Sequence, residues 1–162
     1  MKEKHVEVRH EGGMRMVATT ESGHSFVVDD AAGDGGSRPT EALLAALAAC
    51  TAMDVIAVAL KKRQDVVTYR VEAHGVQREE LPDVFVRVDI VHVVEGPDIS
   101  TSAIRRCIEL SALKYCPVNA MLSAGTVEVH HGYRIARPGQ PIEEDEVLVT
   151  GPDGWLPENV TI

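Results

Sequence analysis

Positive charge is in short supply: 16 Lys plus Arg stand against 25 Asp plus Glu, a formal net charge of −9. No broad basic field exists to gather phosphates, so nucleic acid is not an expected partner. No apolar stretch of signal-peptide type follows Met1-Lys2-Glu3-Lys4-His5, which runs into alternating residues, and the cytoplasm is the expected compartment. Metal-ligand spacing is missing too. None of the seven histidines has a His-x3-His or Cys-x2-Cys neighbourhood, and adjacent His130 and His131 would point to opposite faces of a strand, so no metal or cofactor is expected. The segment Gly33-Asp34-Gly35-Gly36-Ser37 lacks the Gly-Lys-Ser/Thr ending of a phosphate loop, and Asp34 would repel an anion; it reads as a flexible loop, able to act as a lid. Cysteine is scarce, and three residues without a secretory signal argue for free or redox-active thiols rather than a disulfide framework.

What is present fits a compact globular chain: 162 residues, 44% hydrophobic and 25% charged. Alternation predicts strands over residues 4–10, 14–20 and 24–29, separated by Gly12-Gly13 and Ser22-Gly23 turns. Pro39 and Glu41 mark a helix start, by fixed φ in the first turn and negative charge at the positive dipole end. From Ala42 to Leu60 the only charged residue is Asp54. Such a stretch approaches a membrane span, but its alanines, Cys50, Thr51 and Asp54 favour a buried helix, enclosed by the fold or covered by a second subunit.

Two alternating runs follow, residues 66–73 and 84–94, with Val84, Val86, Val88 and Ile90 on one face. Residues 75–83 read as the loop between them. A helix is predicted from Ser100 or Thr101 to about Tyr115, a short one from Pro117 to Leu122, and a strand over residues 126–135. The order βββ-α-ββ-αα-β is an α+β pattern with mostly antiparallel pairing. We expect a domain over residues 1–136. Residues 137–162 read as an acidic solvated linker, through Glu143-Glu144-Asp145-Glu146, with a small hairpin arm anchored by Trp155.

The thiols carry the chemistry. Cys107, at helical spacing with Ile104 and Ile108, reads as core. Cys116 immediately precedes a helix-starting proline, so the dipole is expected to lower its pKa. Cys50 has no such help, and Asp54 lies one turn after it on the same face. We expect Asp54 either to form a buried ion pair with an arginine or to sit at a solvent gap.

The phrase Pro39-Thr40-Glu41-Ala42-Leu43-Leu44-Ala45-Ala46-Leu47-Ala48-Ala49-Cys50-Thr51-Ala52-Met53-Asp54-Val55, followed 66 residues after Cys50 by Cys116-Pro117-Val118-Asn119-Ala120, resembles the OsmC/Ohr superfamily of thiol peroxidases. The resemblance covers about residues 4–135 and leaves the tail unmatched. It implies an OsmC-like fold with central helices, an intertwined homodimer, and active sites at the subunit interface. It further implies that Cys50 is the peroxidatic cysteine, attacking an organic hydroperoxide, and that Cys116 resolves the sulfenic acid as a disulfide reopened by a dithiol or lipoyl-type reductant. The family site also uses an arginine and a glutamate. The peroxidase branches place that glutamate ten residues before the cysteine; Thr40 stands there in this chain and Glu41 one place later. Nine helical residues span about 13 Å, so Glu41 could meet a Cys50 only across a dimer. For the arginine the candidates are Arg15, Arg38 and Arg9, in that order. The alternative reading is a homodimeric ligand-binding or redox-sensing protein of the same fold without efficient peroxidase turnover.

Overall fold

The computed structural model describes residues 2–152. Trp155, the expected anchor of the hairpin arm, lies outside the described residues. The chain divides into two compact units, residues 1–45 and 46–162.

The first unit is an antiparallel meander of β1 (Val6–His10), β2 (Met16–Thr20) and β3 (Ser25–Val28). The β1–β2 turn takes positive φ at Gly12 and Gly13, where a side chain would be strained. The glycine-rich loop after β3 is tied rather than free. Asp29, 5% exposed, accepts the backbone N–H groups of Asp30 (2.8 Å) and Gly35 (3.1 Å), while Asp30 accepts those of Ala32 and Gly33. A Cβ at Gly33 would stand 2.6 Å from the Asp29 carboxylate oxygens. Glycine is therefore required there for close approach, and the flexible lid expected from the sequence is replaced by a loop wrapped on a buried aspartate.

Helix α1 (Pro39–Lys61) begins in the first unit and ends in the second. At its start the Ala42 N–H makes the first helical bond to the Arg38 carbonyl, and the Glu41 carboxylate reaches back to cap the Arg38 N–H at 2.9 Å. Its buried residues, Leu47, Thr51, Val55 and Ala59, recur every four positions and form one stripe. Met53 is 72% and Leu60 59% exposed, so the chain's own fold does not enclose this helix. By length and composition it is apolar enough to cross a membrane.

The second unit is built on a sheet ordered β4 (Thr68–Gln77), β5 (Phe85–Glu95), β6 (Glu128–Ala136), β7 (Glu143–Thr150). β5 and β6 are parallel, which requires a crossover. That crossover is α2 (Thr101–Leu110), a π turn over Ser111–Tyr115, and α3 (Pro117–Ser123). Ser100 caps α2 by accepting the Ala103 N–H. Val55, Ala59, Val94, Ile104, Cys107, Ile108, Tyr133 and Ile135 belong to one core, confirming Cys107 as packing.

Three expectations are corrected. β4 continues to Gln77, into the segment read as loop. A bulge pairs Val76 with Arg87 but Gln77 with Phe85, so the register slips by one; Phe85 is buried while Val84 and Val86 turn outward. The acidic run is no linker. Glu143, Glu144, Asp145 and Glu146 lie in β7 against β6, and each carboxylate meets a cation: Arg137 (2.9 Å), Arg134 (3.1 Å), Arg105 (2.9 Å) and the His130 imidazole when protonated (2.8 Å). Charge counted along the chain hid pairing across the sheet.

Candidate active site

Cys50 lies mid-way along α1, half-buried, and Asp54 follows one turn later. Cys116 sits in extended conformation (φ −79°, ψ 101°) as the cap of α3, where its Sγ accepts the Asn119 N–H at 3.4 Å. Pro117, its φ preset for a first helical turn, forces the chain out of the π turn and into α3 at this point. The two sulfurs and a carboxylate oxygen of Asp54 all lie within 4.8 Å of one another, and both thiols are free.

Burial, not the helix end, decides the state of Cys116. Desolvation pushes its thiol well above the usual range, the adjacent Cys50 sulfur adds to this, and the single Asn119 N–H opposes it. The lowered pKa expected from position is therefore corrected: Cys116 is a thiol at neutral pH. Burial also raises the Asp54 carboxyl, against the Ser111 hydrogen bond. Asp54 makes no ion pair among the described residues; its partner is a hydroxyl, not an arginine.

A buried polar chain runs behind Asp54. Ser111 Oγ donates to Asp54 Oδ2 (3.0 Å), Thr51 and Ser111 hydroxyls are 2.9 Å apart, Thr51 Oγ1 is 3.4 Å from His92 Nε2, and Tyr69 OH is 2.7 Å from His92 Nδ1. Burial drives the His92 pKa down to about 3, so its ring is neutral. With the carboxylate accepting, each hydroxyl can satisfy both neighbours in only one sense: Tyr69 donates to His92 Nδ1, His92 Nε2–H to Thr51, Thr51 to Ser111, and Ser111 to Asp54. The sense of every hydrogen bond follows from the charged end.

A second network holds Cys116 from below. Asn119 Nδ2 donates to the Ala112 carbonyl (2.9 Å), and its Oδ1 accepts from Thr150 of β7 (3.2 Å) and His131 Nε2 of β6 (3.2 Å). His131 is pushed down to about 4 by burial, and its Nδ1 has no hydrogen-bond partner among the described residues.

Of the residues expected at the site, Cys50 and Cys116 are brought together. Arg15, Arg38 and Glu41 belong to the first unit with partners of their own: Arg15 donates to the Gly35 carbonyl (3.3 Å) and pairs with Glu11, Arg38 pairs with Asp34 (3.1 Å), and Glu41 caps α1. Arg9 pairs with Glu11 at 3.7 Å. A cleft of about 470 Å³ in that unit is lined by Met14, Met16, Val28, Pro39 and Arg38, apolar but for one guanidinium and the neighbouring acids. Sequence reading missed Thr51, His92, Ser111, Asn119 and His131. A signal existed for His92, which shares the inward parity of Val88 and Ile90 on β5.

The sequence profile of the OsmC-like protein family matches residues 32–131, a span containing both cysteine phrases. The chain belongs to the OsmC-like protein family. Protein YhfA of Escherichia coli K12, a relative, is 36% identical over 123 residues, 76% of this chain and 91% of YhfA. Among solved structures, the OsmC-like protein of Mycoplasma pneumoniae superposes with a TM-score of 0.74 at 16% identity, covering 84% of this chain and 99% of that one. The organic hydroperoxide resistance protein OhrB of Bacillus subtilis superposes at 0.56 with 20% identity, covering 82% and 98%. These two likenesses are of fold. The α+β OsmC architecture is thus established from sequence profile and structure together.

Proposed function

We propose that this OsmC-like protein is a cysteine-based peroxidase that reduces organic hydroperoxides. The observation that carries the reading is the juxtaposition of two free thiols, half-buried Cys50 and buried Cys116, from separate elements. The Cys50 thiolate attacks the distal oxygen of the hydroperoxide; the O–O bond breaks, the alcohol leaves with a proton, and Cys50 becomes a sulfenic acid. Cys116 sulfur then attacks the Cys50 sulfur, water leaves, and a disulfide forms. A dithiol, of lipoyl or similar type, reopens it by exchange. The alanine- and leucine-rich α1 suits a hydroperoxide with an apolar body. Exposed Val6, Val8, Phe26, Leu43, Met53 and Leu60 suit a homodimer.

A ligand-binding or redox-sensing protein of the same fold is the second reading. Two observations favour it: Glu41 is occupied as a helix cap, and the apolar cleft at Arg38 is a ready pocket. The deciding experiment follows cumene hydroperoxide consumption with dithiothreitol in wild type, Cys50→Ser and Cys116→Ser, with intact mass after one equivalent. Turnover in wild type, none in Cys50→Ser, and an oxidised Cys50 in Cys116→Ser sustain the peroxidase. Thiols left untouched by peroxide sink it.

A further inference from the structure

We infer that the reduced protein holds one thiophilic divalent cation of the zinc type on Cys50 Sγ, Asp54 carboxylate and Cys116 Sγ, with a fourth position open to solvent or ligand. The three donors are the group of metal-capable side chains that converges among the described residues, and all lie within 4.8 Å. A tetrahedral zinc with Zn–S near 2.3 Å sets its sulfurs roughly 3.8 Å apart, so small side-chain rotations close the site. Two soft sulfurs select zinc-like ions over magnesium or calcium, and three protein donors leave a coordination position free.

The surroundings fit a cation. Asp54 has no ion-pair partner among the described residues, so the charge of its carboxylate, and of any thiolate beside it, is uncompensated by any of them. Each donor is also positioned from outside the set. Ser111 fixes the carboxylate at 3.0 Å, and is itself fixed by Thr51 at 2.9 Å; the Asn119 N–H addresses Cys116 Sγ at 3.4 Å, as outer-shell donors address metal thiolates. Histidine spacing gave no hint of this site, because its donors come from an i, i+4 pair on α1 and a residue 62 positions after Asp54.

Entry of the ion forms two metal–sulfur bonds and one metal–oxygen bond, releases the thiol protons to solvent, and oxidises nothing. Coordination withholds both sulfurs from peroxide, and a Cys50–Cys116 disulfide cannot bind the ion. Metal and peroxide therefore compete; this competition, unlike the binding itself, rests on the peroxidase reading.

Cobalt(II) titration of the reduced, full-length chain tests the site, with zinc displacing cobalt as the check. The expected result is a thiolate-to-cobalt absorption band saturating at one ion per chain, absent after oxidation with one equivalent of diamide. Cys50→Ser, Cys116→Ser and Asp54→Asn lose it, while Cys107→Ser, altered only in the core, keeps it. Ser111→Ala weakens cobalt affinity about 10- to 100-fold, as loss of an outer-shell donor does. Circular dichroism of each variant separates a lost ligand from a lost fold. No band in the reduced wild type, or a band whose affinity is unchanged in folded Asp54→Asn, overturns the inference. A saturating band in a protein without peroxidase turnover sustains the metal site and fails the peroxidase reading alone.

Discussion

At the scale of single residues, the site is a case of burial overriding position. Cys116 occupies a helix cap that ought to favour a thiolate, yet burial first, then the neighbouring Cys50 sulfur and Asp54, push its thiol up, and one N–H cannot offset them. The residues that matter most for geometry are neutral. Thr51 is the clearest: its hydroxyl links His92 to Ser111, and all three side chains are fully buried. Thr51→Val keeps the shape and removes the hydroxyl, leaving His92 Nε2–H without an acceptor. Urea denaturation is expected to show a loss of about 1–3 kcal/mol, the cost of a buried unsatisfied group, and Thr51→Ser should recover most of it. Equal stability of the Val variant would mean that the chain is not a continuous hydrogen-bonded path. Cys50 and Cys116 were legible in the sequence because their flanking phrases are distinctive. Thr51, Ser111 and His92 were not, since one hydroxyl or imidazole on an apolar face carries no sign of which element it will meet.

Elements show the same division. Every strand and helix of the core order was legible from periodicity and turn residues, and so was the opposition of His130 and His131, whose side chains alternate across β6. β7 was not legible, because four successive acids suppress any apolar alternation; the strand is stabilised instead by cations brought from β6, α2 and the segment after β6. The bulge at Val76/Gln77 was equally invisible, since an extra residue leaves composition unchanged. Helix α1 supplies the test at this scale. The Glu41 carboxylate caps the Arg38 N–H at 2.9 Å, so Glu41→Ala is expected to lower stability by about 0.5–1 kcal/mol, read as a small fall in Tm, with Glu41→Gln largely restoring it. A peroxidase rate that collapses in Glu41→Gln while Tm holds would instead give this carboxylate a role in the chemistry.

At the scale of the whole molecule, the two fully buried histidines couple folding to pH. His92 and His131 are held neutral, their pKa values driven down to about 3 and about 4 from 6.5, first by burial; for His92 the proximity of His131 adds to it, and for His131 that of His130. Between about pH 4 and 6.5 the unfolded chain takes up protons at both rings that the folded chain refuses. Their contribution to stability is therefore complete above pH 6.5 and is lost progressively as pH falls toward their folded values. Each ring contributes a slope of about 1.4 kcal/mol per pH unit inside that window, and the raised Asp54 carboxyl works in the opposite sense where it titrates. The lowered carboxylates, Asp89 and Glu143, lose their contribution only further into acid, below their ordinary values of 3.8 and 4.5. Urea midpoints at fixed protein concentration are thus expected to hold near pH 7 and fall steeply from pH 6 to 4.5. His131→Asn, which retains a donor toward Asn119 but cannot titrate, should remove about half of the slope. A midpoint independent of pH across this window would show that the rings accept protons in the folded state, and with that the neutral, one-way hydrogen-bonded chain behind Asp54 would have to be abandoned.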